Sequence, residues 1–183
     1  MAVSSASASD GKSLTAINLA ISMARPGDRR VVLIDFDLVN PSIQRYLGIT
    51  GYEKCLGDYI VGDAKPSEIL YATPVENLWV VPNNLPITNS SEALGSKRTL
   101  ELIEWIQSAD PSCIILMDLP PLLVSDDVLA ASGFTDALLL VIAEGRTSRE
   151  SVRNTKELIE DHEIELLGVV INESRDKIAT YKY

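Results

Sequence analysis

Histidine occurs once in the 183 residues, as His162, and cysteine twice, as Cys55 and Cys113. A histidine-rich zinc site or a histidine-based hydrolase triad is therefore all but excluded. Two cysteines outside any C-x-x-C pair cannot frame a disulfide-stapled fold. Aromatic residues make up only 5%, and the apolar runs stop at strand length, so neither a bilayer-spanning segment nor a secretory signal is expected. Positive charge is scarce too. Sixteen basic against 26 acidic side chains leave a net charge of -10, a field that repels phosphate backbones and argues against a nucleic-acid partner. The remaining composition, 46% hydrophobic and 23% charged, is that of a globular protein. One core-bearing domain over residues 1–183, in the cytoplasm, is expected.

The hydrophobic pattern alternates short continuous runs with longer amphipathic ones. The runs 31–34, 78–81, 113–117, 137–142 and 166–171 fit strands buried on both faces, as in a parallel sheet covered by helices. Met1 to Val3 is a very short first strand, read as truncated. Residues 11–24, 91–107 and 147–161 carry apolar residues at helical spacing, with Pro26-Gly27-Asp28 closing the first helix and Ser90-Ser91 capping the second. This order predicts an α/β fold, a mostly parallel sheet flanked by helices on both faces. Trp79, Trp105 and Cys113 read as core, and Tyr46, Tyr52, Tyr59 and Tyr71 as packed.

Between the first strand and the first helix runs Ala6-Ser7-Ala8-Ser9-Asp10-Gly11-Lys12-Ser13, a relaxed phosphate-binding loop. Such a loop aims backbone N–H groups and a helix N-terminus at an anion, while Lys12 can reach the β/γ-phosphates and Ser13 can ligate Mg²⁺. Asp35 and Asp37 end one buried run and Asp118 ends another. In open α/β sheets ligands bind outside the carboxyl ends of the strands. Three acids at that edge provide the hard oxygen ligands and the base that a Mg²⁺–nucleotide site requires.

The loop Gly11-Lys12-Ser13, the strand end Asp35-Phe36-Asp37 and the strand end Asp118-Leu119-Pro120-Pro121 resemble the Walker A, A′ and B motifs of the bacterial tyrosine kinases. These are the cytoplasmic kinase domains that regulate capsule and exopolysaccharide synthesis, within the wider MinD/ParA-like P-loop class. The likeness extends through Asn40-Pro41-Ser42-Ile43, through Thr88 to Leu94, and through Gly168-Val169-Val170-Ile171-Asn172. It implies an ATP- and Mg²⁺-dependent protein-tyrosine autokinase. Residues Ala8, Ser9, Asp10, Gly11, Lys12, Ser13 and Leu14 would hold the phosphates, and Asn172 would touch the base. Ser13, Asp37 and Asp118 would serve the metal, and Asp35 would accept the proton of the incoming tyrosine hydroxyl. Tyr181 and Tyr183 resemble the start of the autophosphorylated C-terminal cluster.

The resemblance also implies partners: a membrane polysaccharide co-polymerase whose cytoplasmic segment activates the kinase, and further copies of the chain. Recruitment to the inner face of the membrane would come from that partner or from a preceding membrane region. The departures are specific. Ser9 stands where the family usually has glycine, Ala8 where it has proline, and Val39 where an arginine follows the second A′ acid. Two alternatives stay open, a MinD/ParA-like ATPase switch and a kinase-like pseudoenzyme. The switch would carry an additional loop lysine at about position 7, which here is Ser7.

Overall fold

The computed structural model describes residues 1–25 and 29–174. Their elements run β1 (Ala2–Ser5), α1 (Lys12–Ala24), β2 (Val31–Asp35), α2 (Ile43–Leu47), α3 (Leu56–Val61), α4 (Pro66–Ile69), β3 (Tyr71–Ala72) and β4 (Leu78–Val81). Then follow α5 (Ser90–Leu94), α6 (Lys97–Ala109), β5 (Ile114–Asp118), α7 (Asp127–Ser132), β6 (Leu138–Ala143), α8 (Arg149–Asp161) and β7 (Leu166–Asn172). The strands form one sheet in the order β3-β4-β2-β5-β1-β6-β7, parallel except for β3.

Successive side chains of a strand point to opposite faces, and the continuous apolar runs use both. Val32 and Ile34 of β2, Ile115 and Met117 of β5, and Leu138 and Leu140 of β6 enter one core with α6, α7 and α8. Val31, Leu33, Leu116 and Val141 enter a second core with Ala16, Ile17 and Ala20 of α1. Helices thus cover both faces, as the periodicity predicts.

The short β1 is central. It pairs with β5 and β6, in the register Val3 opposite Asp118 and Val3 opposite Leu139. Asp35 lies opposite Asp118 across β2 and β5. The register therefore gathers the ends of β1, β2, β5, β6 and β7 at one edge of the sheet.

Four expectations need correction. The helix expected over 91–107 is two helices. Gly95 ends α5, and Ser96, with extended backbone and its Oγ accepting from the Thr99 N–H at 3.3 Å, starts α6 afresh. Ser90 does not cap; its hydroxyl donates to Asp127 Oδ1 at 2.8 Å. The run 166–171 is not buried on both faces, because β7 is an edge strand paired only with β6, and Leu167, Val169 and Ile171 are exposed. Tyr46 is exposed, not packed, whereas Tyr59 is buried. Trp79, Trp105 and Cys113 are half-buried against the larger core. The stop at 26–28 lies outside the described residues. No helix among the described residues is long and apolar enough to cross a membrane.

Candidate functional site

Where β1 feeds α1, the chain turns through two left-handed residues, Ser9 at φ +66° and Gly11 at φ +93°. Left-handed residues within a loop make the concave backbone that receives anions. A Cβ on Gly11 would stand 2.0 Å from Asn172 Nδ2, so the backbone favours glycine and any side chain there would displace Asn172. Asp10 is buried and braces the loop. Its Oδ2 accepts from the Ser7 N–H at 2.8 Å, its Oδ1 accepts from Thr147 Oγ1 at 2.9 Å, and its carbonyl accepts from Asn172 Nδ2 at 2.9 Å. Asn172 therefore comes from the end of β7 to the underside of the loop.

Lys12 and Ser13 open α1 and are buried. Lys12 Nζ lies 2.7 Å from Asp37 Oδ2, 3.5 Å from Asp118 Oδ1 and 3.1 Å from Ser13 Oγ. Ser42 Oγ donates to Ser13 Oγ at 3.0 Å. Asp35 is fully buried, and its Oδ2 accepts the N–H groups of Ser42 and Ile43, both at 2.9 Å. Asp35 thereby folds the loop after β2 back toward Ser13.

One ammonium stands among three carboxylates, and the proton affinities register that imbalance. Burial draws the Lys12 ammonium down, but Asp118, Asp37 and Asp35 outweigh it and leave the pKa raised. Burial lifts Asp118 to about 6, with Lys12 and Ser13 opposing. Burial and the Asp118 charge hold Asp35 well above the usual carboxylate range, against the pull of the Ile43 and Ser42 N–H groups and Lys12.

Both Asp118 oxygens and Asp35 Oδ1 are buried without a hydrogen-bond partner. Lys12 Nζ, 3.5 Å from Asp118 Oδ1, compensates it chiefly as a charge. Unpartnered oxygens in a site short of positive charge, beside the Ser13 hydroxyl, suit a hard divalent cation. Among the described residues no group of three His, Cys, Asp or Glu side chains makes a metal cage. That is compatible with Mg²⁺, which is held by one or two carboxylates together with phosphates and water.

A cleft of about 510 Å³ opens above this cluster, lined by Lys12, Ser13, Asp37, Asn172 and Arg146 among others. Of the residues the sequence singles out, Ala8, Ser9, Gly11 and Leu14 also line it. Asp35, Asp118 and Asp10 are buried and do not line it. Tyr181 and Tyr183 lie outside the described residues. Sequence reasoning missed Ser42, Arg146 and Thr147. Ser42 falls inside the recognised 40–43 segment, but the other two sit in an ordinary turn, marked only by Gly145 at φ +74°.

A strand-to-helix phosphate loop beside strand-end carboxylates on a parallel sheet defines a P-loop NTPase, and the family model described as "ParA: NUBPL iron-transfer P-loop NTPase" matches residues 1–180. The fold recurs in the septum site-determining protein MinD of Pyrococcus horikoshii, solved with Mg-ADP, at TM-score 0.76 and 20% identity over 98% of this chain and 73% of that one. Within this class the chain is 33% identical over 182 residues to the tyrosine-protein kinase CpsD of Streptococcus agalactiae, covering 99% of this chain and 78% of the relative. It also superposes on the solved VpsO kinase domain at TM-score 0.86 and 25% identity, covering 95% of this chain and 84% of that one. The chain belongs to the bacterial tyrosine-protein kinases of the ParA-type P-loop class.

Proposed function

We propose that the chain is an ATP-dependent protein-tyrosine autokinase acting in capsule or exopolysaccharide synthesis. The observation that carries this reading is the lysine of a phosphate loop set among Asp35, Asp37 and Asp118 at the carboxyl edge of the sheet. Mg²⁺-ATP, when bound, supplies the γ-phosphoryl group and the divalent charge. Phosphoryl transfer then asks the protein for position and charge compensation rather than covalent chemistry.

Each residue's part follows from its place. Residues 8–14 would cradle the phosphates through backbone N–H groups at the start of α1. Lys12, 2.7 Å from Asp37 Oδ2, would hold the β/γ-phosphates. Ser13, Asp37 and Asp118 would hold the metal, directly or through water. Asp35 keeps one unpartnered oxygen, Oδ1, and a raised proton affinity, which suits the acceptor of a tyrosine hydroxyl proton. Asn172 braces the loop through the Asp10 carbonyl and would touch the base. Val39, Tyr46 and Val124 are exposed, and all three line the cleft. An apolar rim of that kind suits an incoming tyrosine-bearing or activator segment. Tyr181 and Tyr183 are the proposed acceptors, and the membrane co-polymerase segment and further copies of the chain the proposed partners.

The test is incubation with Mg²⁺ and γ-labelled ATP, with and without an activator-segment peptide, followed by phosphosite mapping. Phosphotyrosine at Tyr181 or Tyr183 in the wild type, lost in Lys12→Ala and in the charge-retaining Lys12→Arg, is the expected result. Steady hydrolysis without phosphotyrosine would instead establish a switch ATPase. Absence of both activities would make the chain a pseudoenzyme.

A further inference from the structure

Ser9 adopts φ +66°, a conformation that glycine enters freely and a side-chain-bearing residue enters at a cost. The braces on Asp10 do not reach the Ser9 carbonyl. Arg146 does: its Nη1 donates to the Ser9 carbonyl oxygen. Its Nη2 lies 3.1 Å from Glu173 Oε2. A planar guanidinium presents donors in a fixed fork, so anchoring one arm on Glu173 orients the other. Glu173 is itself left-handed, at φ +56°, and directly follows Asn172.

The neighbouring residue repeats the pattern. Thr147 Oγ1 donates to Asp10 Oδ1 at 2.9 Å and accepts from the Ala143 N–H at 2.8 Å. Two consecutive residues of the β6–α8 turn thus hold two consecutive residues of the phosphate loop, Arg146 on Ser9 and Thr147 on Asp10. The arrangement is set by the sheet order, which puts β6 beside β1.

We propose that Arg146 is a positioning residue for the nucleotide: it pins the left-handed Ser9 peptide, with Glu173 orienting it, so that the loop keeps its anion-binding curve without a glycine at position 9. The inference rests on the reading of the cleft as a nucleotide site. Arg146 also lines the cleft, so the test must separate a pin from a direct nucleotide contact.

The experiment is a binding titration of the full chain with a fluorescent ribose-labelled ADP and Mg²⁺, on wild type, Arg146→Ala, Ser9→Gly and the double variant. Thermal melts confirm that each is folded. Arg146→Ala is expected to raise the Kd about tenfold, equivalent to about 1.4 kcal/mol. Ser9→Gly binds more tightly than wild type, and Arg146→Ala in the Ser9→Gly background costs less than about twofold, the signature of two residues acting through one feature. In phosphotyrosine formation, the KM for ATP rises in Arg146→Ala while kcat stays within about twofold. Equal affinity of wild type and Arg146→Ala would overturn the pin. So would a tenfold loss that persists undiminished beside Ser9→Gly, which would make Arg146 a direct nucleotide contact. A wild-type chain that binds no nucleotide would refute the nucleotide reading itself, and the pin with it.

Discussion

Gly11→Ala strains the site at the point where loop and sheet meet. The residue stands at φ +93° and ψ +19°, and a side chain in the left-handed region costs about 1–2 kcal/mol. The new methyl would fall 2.0 Å from Asn172 Nδ2 and 3.2 Å from its Cγ. Asn172 can rotate aside, so the second part of the cost is its 2.9 Å bond to the Asp10 carbonyl, a loss of about 0.5–1.5 kcal/mol. Together these predict a destabilisation of about 2–3 kcal/mol and, for a chain of this size, a fall in Tm of about 5–10 °C. Thermal and urea melts of wild type, Gly11→Ala, Asn172→Ala and the double variant form a cycle. With Asn172 already shortened, Gly11→Ala should cost only the backbone part, leaving a coupling of about 1 kcal/mol. A Gly11→Ala variant within about 0.5 kcal/mol of wild type, or equal costs in both backgrounds, would refute the reasoning.

Three further predictions address the carboxylates and the fold. Folding lifts Asp118 to about 6 and raises Asp35, so the fold favours their neutral forms. Their contribution to stability is full below the ordinary carboxylate range, near about 4; that of Asp118 is lost as pH rises through about 6, and that of Asp35 is lost in the same direction. Mg²⁺ needs the anions, so its affinity, measured by calorimetry with ADP present, should fall about tenfold from pH 7 to 5; a flat profile would contradict the assignment. Asp35→Asn should abolish phosphotyrosine formation while sparing nucleotide affinity, whereas Asp37→Asn should also weaken the Mg²⁺ dependence, both read by initial rates at varied Mg²⁺. Ser96→Ala removes the cap that restarts α6 and should cost about 1 kcal/mol in urea melts, with nucleotide affinity unchanged.

The sheet and the gathering of Lys12, Ser13, Asp35, Asp37 and Asp118 at one edge were legible because each depends on residues contiguous in sequence. Lys12 and Ser13 sit in one motif, and Asp35 and Asp118 each end an apolar run, so reading strand ends as one edge was enough to bring them together. The break at Gly95-Ser96 was hidden because Leu100, Ile103 and Ile106 follow it at three-residue spacing, and Leu94, six residues before Leu100, was read into the same stretch. The exposed side of β7 was hidden for a different reason: an apolar run does not reveal whether its strand is central or at the edge. Arg146 and Thr147 carry no motif. They reach the loop only because β6 lies beside β1, a fact of topology. The burial of Asp35, held by the Ser42 and Ile43 N–H groups, likewise follows from the path of the loop after β2 and not from the spacing of its acids.

The most direct test of the central claim counts both products of one reaction. Single-turnover mixing of the chain with Mg²⁺ and γ-labelled ATP, with the activator-segment peptide present, yields the amounts of ADP, free phosphate and phosphotyrosine over time. A tyrosine kinase predicts that label leaving ATP appears on tyrosine in step with ADP, and that Lys12→Arg removes both. Label appearing only as free phosphate, in step with ADP and with no phosphotyrosine, would contradict it.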